Sequence, residues 1–305
     1  MKTYTSYLSL LVVLASIITS CQNTPTDSIS IIDQLYKEYE LDANAERAEV
    51  FLDSLDTFIA QHVEDKSYIK PYLEKGINIS KAQGMLSRTA SYTLPLLRLY
   101  PDDEQKKSHL LTLGDVMHAL RKRHASSIVY HELAKDYPDD RIVLGKQALV
   151  DSSLVDQEDY IKYLFDQILV NPDEYGVNRT SSLKYVDAVE ALALVSPDDP
   201  RVPTNLYTAA EVARSLRTFP KAMSLYDWLI DAYPDHTKTG NALFIKGFIL
   251  EQDYKRSDEA RSIYERFLRD YPDHDMAASA KFLLDNLGKS DQEILQNIDA
   301  DKTGG

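Results

Sequence analysis

Along most of the chain the apolar side chains recur at helical spacing. Ile263 and Phe267 pair with Tyr264 and Leu268, and Leu225 and Leu229 with Tyr226 and Ile230, which places each set on one helix face. No segment alternates apolar and polar residues over the length a strand needs, and 10 glycines leave little room for hairpin turns. The pattern predicts an all-α protein.

The helices are punctuated at regular intervals. Pro-Asp follows a helix end at Pro101, Pro138, Pro172, Pro197, Pro234 and Pro272, at spacings of 37, 34, 25, 37 and 38 residues. Tyrosine precedes four of these prolines, at Tyr100, Tyr137, Tyr233 and Tyr271. Proline lacks the N–H a helix needs and pushes the residue before it out of helical geometry, so each mark predicts a seam between helix pairs. Asp103, Asp140, Asp199, Thr237 and Asp275 then read as caps of the following helices, Asp199 with Pro200 at the first helical position. The tetrapeptide Tyr-Pro-Asp-His occurs at Tyr233–His236 and again at Tyr271–His274. Its kinship with the other seams makes it a stop-and-cap joint, with the tyrosines providing the packing and the histidines of small consequence.

This punctuation, with small residues upstream of it, resembles the tetratricopeptide repeat, which sets small residues at positions 8 and 20, an aromatic at 24 and proline at 32. Counting back from Pro234 gives Ala210, Ala222 and Tyr226; from Pro138, Gly114, Ser126 and Tyr130. From Pro272 the second helix fits through Ala260 and Tyr264, but Gly247 sits one residue early, implying an inserted residue around Arg256-Ser257. Residues 202–287 match best, 76–201 read as degenerate repeats in which the unit ending at Pro101 keeps Gly76 and little else, and 29–75 as divergent N-terminal helices. Ala277 to Leu287, closed by Gly288, reads as an amphipathic capping helix, with residues 288–297 assigned to the cap; 22–28 and 298–305 read as flexible ends. The resemblance implies a right-handed superhelix of antiparallel helix pairs, an α-solenoid whose first helices line a peptide-holding face. Its groove positions fall on Thr204, Tyr207, Glu211 and Arg214, then on Asn241, Phe244, Phe248 and Glu251, with Ser108, Leu111, Asp115 and His118 as equivalents in an earlier repeat.

The N-terminus changes where such a domain would work. Lys2, the apolar run Leu8 to Ile18 and the small residues Thr19-Ser20 read as an export signal. Ile18-Thr19-Ser20-Cys21 resembles the lipobox of bacterial lipoproteins, which implies a lipidated Cys21 as the first mature residue and an outer-membrane location with the body facing the periplasm. Cys21 is the only cysteine, so no intrachain disulfide forms. Net charge is −14, with 34 basic against 48 acidic residues, which repels nucleic-acid backbones and anionic head groups.

Candidate chemistry adds little. His118, His124 and His131 lack the spacing of a one-helix metal site, and His236 and His274 start separate helices. The basic run Arg121-Lys122-Arg123-His124 reads as a solvated turn, and Trp228 as a packing residue. No phosphate loop, nucleophile elbow or zincin motif occurs, so no catalytic residue, metal or cofactor is expected. The C-terminal repeats, Glu259-Ala260 through Tyr271-Pro272 above all, resemble lipoproteins of the β-barrel assembly machinery and periplasmic proteins of the Tol–Pal system. That resemblance implies an adaptor that binds a peptide or helix segment of another envelope protein. The alternative is a surface-exposed ligand- or nutrient-binding helical-repeat lipoprotein.

Overall fold

The computed structural model describes residues 25–62, 65–174, 176–290 and 292–293. The signal segment, Cys21 and the tail at 298–305 lie outside the described residues. Every regular element among the described residues is a helix, and the helices pack in adjacent pairs. The chain divides into two compact units at Tyr100.

The first unit holds α1 (Pro25–Leu41), α2 (Ala45–His62), α3 (Lys70–Ala82) and α4 (Leu86–Leu99). Helix α1 starts at Pro25, inside the segment read as a flexible tether. The core of this unit runs from Ile32 and Leu35 through Phe51, Leu52, Leu55 and Phe58 to Leu73 and Leu96.

The second unit holds α5 (Lys106–Ala119), α6 (Arg123–Asp136), the single turn α7 (Arg141–Leu144), α8 (Gln157–Asp166), α9 (Arg179–Val195), α10 (Val202–Ser215), α11 (Phe219–Ala232), α12 (Thr239–Gln252), α13 (Ser257–Asp270) and α14 (Ala277–Asn286). Helix α6 packs directly on α9, so the stretch from α7 to α8 is an insertion. Pro172 belongs to it: a 3₁₀ turn, not an α-helix, ends before Asn171, whose φ is 52°. This mark is therefore a loop within an insertion, and five of the six marks are seams. At those five, the residue before proline has φ between −128° and −134° and ψ between 58° and 66°, outside the helical region that a following proline disfavours.

One device recurs at the centre of each well-formed pair. A tyrosine of the second helix lies over a small residue of the first: a Cβ on Gly76, Gly114 or Gly247 would stand within 2.7 Å of the ring of Tyr92, Tyr130 or Tyr264. Tyr226, sixteen residues after Ala210 as Tyr130 is after Gly114, is fully buried too, as is Ala210. Each hydroxyl donates to a carboxylate: Tyr130 to Asp115 at 2.6 Å, Tyr264 to Glu251 at 2.8 Å, Tyr92 to Asp56 at 2.6 Å, and Tyr226 to Glu211. Tyr92 corrects the reading that the unit ending at Pro101 keeps only Gly76. The pair is complete but slips by one residue against its proline. The inserted residue of the last pair lies earlier than Arg256-Ser257. The turns before α4, α6 and α11 hold three residues with Gly84, Arg121 and Arg217 at positive φ, whereas the turn before α13 holds four, and its extra residue precedes Lys255 at φ 56°.

The seams are joined by tyrosine hydroxyls. Tyr233 donates to the carbonyl of Pro197 at 2.7 Å and Tyr271 to that of Pro234 at 3.2 Å, each reaching back to the preceding seam. Asp140 caps α7 as expected, accepting from the N–H groups of Ile142 and Val143. Asp103 and Asp199 instead accept from Gln105 and Arg201, in the turn before the helix. At the last two seams the acceptor is histidine, not Thr237 or Asp275. His236 Nδ1 accepts from Lys238 N at 3.2 Å, and His274 Nδ1 from Met276 N at 3.1 Å. His274 also packs edge-on to Phe267, with ring centroids 5.3 Å apart, and its ring fills the space beside Gly240. It is thus more than a spare polar group. His274→Ala is expected to cost about 1 kcal/mol, and His274→Asn, which keeps an acceptor for the turn, to cost less, in urea unfolding of the full chain.

Helix α14 closes at Asn286, and Gly288 takes φ 82°, the left-handed geometry of a glycine helix stop. The cap read at 288–297 is interrupted there. Helical geometry returns at residues 292–293, and 291 and 294–297 lie outside the described residues.

Candidate functional site

The expected groove positions form one stripe on each first helix of the second unit. On α10, Thr204 is exposed and Tyr207, Glu211 and Arg214 are half-buried; on α12, Phe248 is exposed and Asn241, Phe244 and Glu251 are half-buried. Several already serve the fold. Glu211 and Glu251 hold the hydroxyls of Tyr226 and Tyr264, and Asp115 that of Tyr130. Arg214 lies 2.7 Å from Glu211, which holds its proton firmly. Lys238 stands 5.4 Å from the centre of the Tyr207 ring. Burial, with Glu211 second, raises the Tyr207 hydroxyl above its ordinary value, so it stays protonated and able to donate.

The two phenylalanines differ. Phe244 packs against Phe267 and Tyr264, with centroids 5.7 and 6.1 Å apart, whereas Phe248 is 38% exposed. Phe244→Ala is expected to cost about 2–3 kcal/mol of stability through lost aromatic packing, and Phe248→Ala less than about 0.5 kcal/mol. Parallel urea titrations check both, and the outcome makes Phe248 the cleaner probe of binding.

The basic run is drawn into structure. Arg123 and His124 belong to α6, not to a turn, and Lys122 lies 2.7 Å from Asp187 on α9. His124 meets the Tyr160 hydroxyl at 2.5 Å; burial is the largest cause lowering its pKa, so the ring is neutral at pH 7. Trp228 is buried, as its place on a second helix suggested. Burial holds the Asp187 carboxyl above the usual carboxylate range, and Lys122 opposes that shift. A carboxyl whose folded pKa is raised contributes its full stability below the unfolded pKa and loses it as pH rises through the folded one. Lys122→Met removes the opposing cation, so its destabilisation should grow from near zero at pH 4 to about 1 kcal/mol at pH 7 in urea titrations.

A second feature had no signal in the periodicity. Between α8 and the start of α10 lies a cleft of about 420 Å³, floored by Tyr185 and Leu192 of α9 and walled by Ile161 and Phe165 on one side and Thr204, Asn205 and Thr208 on the other. Arg201 bridges it, pairing with Asp199 at its own seam and with Glu158 of α8. Thr204 belongs to both the cleft and the groove stripe.

Residues 241–274 match the family described as Tetratricopeptide repeat. Over those residues the chain is similar to a tetratricopeptide repeat. The matched segment comprises α12, α13 and the seam through His274, and includes Phe248. No curated protein matches the sequence. Among solved structures the chain is similar to the complex titled TPR2AB domain with pHSP90, of yeast Sti1, at 13% identity and a TM-score of 0.31, over 84% of this chain and 97% of that one. The matched segment holds a helix pair closed by Tyr264 over Gly247, and its first helix carries the stripe of Asn241, Phe244, Phe248 and Glu251.

Proposed function

We propose that the chain is a lipid-anchored adaptor of the bacterial outer membrane, facing the periplasm, which binds a peptide or helix segment of another envelope protein along the first helices of its second unit. The observation that carries the reading is Phe248, an exposed aromatic on the first helix of a matched tetratricopeptide repeat, flanked by the polar Asn241 and Glu251. Exposed aromatics on such a face anchor partners through buried area. The lipobox-like sequence before Cys21 supports the anchor, and net charge −14 directs the choice of partner away from nucleic acid.

The test is a photo-crosslinking amino acid at position 248 in intact cells, with mass spectrometry of the adducts. A defined protein adduct, lost when the same label is placed on an exposed second-helix site such as Arg261, supports the adaptor. The same adduct at both sites, or none at 248, argues against it. Cys21→Ser should release the protein from the membrane fraction; retention would remove the anchor. The surface-exposed ligand-binding lipoprotein is the second reading, favoured by the cleft beside α8. Protease treatment of unlysed cells separates the two, since degradation there rejects the periplasmic orientation.

A further inference from the structure

Helix α14 begins as α12 does, five residues after the proline of a seam: Ala277 follows Pro272 as Thr239 follows Pro234. Phe282 in α14 therefore takes the place of Phe244 in α12, ten residues after the proline. Their surroundings differ. Phe244 is half-buried against Phe267 and Tyr264 of its second helix, whereas Phe282 is 47% exposed. Ala278 is exposed too, where its counterpart Gly240 is buried beside His274 and Tyr271. The face that α12 turns to α13 thus lies open in α14, and among the described residues no second helix covers it.

The chain after α14 is set to begin another helix. Gly288 ends α14, and Ser290 and Glu293 then form a capping box. The Ser290 N–H donates to the Glu293 carboxylate at 2.7 Å, the Glu293 N–H donates to Ser290 Oγ at 3.4 Å, and residues 292–293 are helical. Residues 294–298 lie outside the described residues, and their sequence sets Ile294, Leu295 and Ile298 at the spacing of one helix face, with Gln296 and Asn297 off it. A stripe of three large aliphatic side chains needs a surface to bury it.

The turn at 287–290 selects that surface. A connection of four residues joins antiparallel neighbours, in which residues equally far from the middle of the turn stand at one level. Phe282 and Leu295 are equally far from the middle of this turn, between Gly288 and Lys289. By the same count about the turn at 253–256, Phe244 and Tyr264, whose rings do pack, stand one residue from equality. Asp285 replaces Gly247 at the close crossing, and no tyrosine occurs between 286 and 305, so the aliphatic side chains would provide the contact.

We infer that residues 290–298 form the second helix of a further pair, laid over α14 with Leu295 and Ile298 against Phe282. The occupant of the open face is this chain's own segment. The inference stands apart from the adaptor reading, and it leaves Phe248 rather than Phe282 as the exposed aromatic offered to a partner.

Disulfide trapping in the full chain tests it. In a Cys21→Ser background, Phe282→Cys with Leu295→Cys should close an intramolecular bond under mild oxidation, seen by nonreducing electrophoresis and by the mass of the linked peptides. Phe282→Cys with Gln296→Cys, whose side chain points off the apolar face, should close it at least about tenfold more slowly. In parallel, Leu295→Asp with Ile298→Asp should speed amide exchange over Phe282 to Asn286 about tenfold or more and leave α10 unchanged. No bond at 295, equal rates at 295 and 296, or unchanged exchange in the aspartate variant would overturn the inference. A disulfide-linked dimer in place of the intramolecular bond would overturn it as well, by giving the open face to a second copy.

Discussion

Tyr226→Ala is expected to destabilise the second unit by about 3–5 kcal/mol in urea unfolding, whereas Tyr226→Phe should cost about 1–2 kcal/mol. Tyr226 has no exposed surface, packs its ring against that of Tyr207, and donates its hydroxyl to Glu211. Burial above all raises its pKa, so it is a neutral donor at pH 7. Truncation opens a cavity where α10 and α11 cross, and a tightly crossed pair has little freedom to collapse into it. Phenylalanine keeps the ring and loses only the hydrogen bond, leaving Glu211 to Arg214 and water. Tyr163, half exposed on α8, is the control: its alanine variant should stay within about 0.5 kcal/mol of the parent. Equal losses at Tyr226 and Tyr163 would mean that the tyrosine over the small residue is not what binds the helices of a pair.

The same device shows why the fold was legible in the sequence and where it ceased to be. Tyr130 and Tyr264 stand eight residues before their prolines, and so does Tyr226, so counting back from the seam finds them. Tyr92 stands nine before Pro101, because it is the seventh residue of α4, whereas Tyr130, Tyr226 and Tyr264 are the eighth of helices of the same 14-residue length. A count tied to the proline misses it, while the sixteen-residue step from Gly76 to Tyr92, the same as from Gly114 to Tyr130, would have found it. The histidine caps at His236 and His274 were hidden for a different reason. Asp, Thr and Asn are the residues expected to accept from a turn N–H, and only side-chain geometry shows that an imidazole nitrogen does so here. The cleft was beyond reach of any periodicity, since its lining comes from α8, α9 and the start of α10, three helices separated in the chain by the loop at Pro172 and the seam at Pro197. Groove positions, by contrast, came from the resemblance to the repeat, counted from the seams. What phase does not reveal is that Glu211, Glu251 and Asp115 are engaged by tyrosines, which leaves Phe248, Asn241 and Thr204 as the freer surface.

Lys221→Met is expected to cost about 3 kcal/mol at pH 7, and Glu190→Leu combined with Lys221→Met to recover to within about 1 kcal/mol of the parent. Glu190 on α9 is only 6% exposed, and both its carboxylate oxygens accept from the Lys221 ammonium of α11, at 2.8 and 2.9 Å. Removing the lysine strands a carboxylate in a site that excludes water, which is the expensive way to break a buried pair. Removing both charges replaces the pair by apolar packing of similar size. The figure sits at the lower end of the usual range because the Lys221 side chain is 38% exposed, so water already screens part of the attraction. Glu190 shares α9 with Tyr185 and Leu192, the floor of the cleft, so this pair ties α9 to α11. The single variant should therefore also loosen α9: amide exchange along it should accelerate, and the double variant should restore the parent rates. A double-mutant cycle whose coupling energy is near zero would show instead that α9 is held by its apolar face alone.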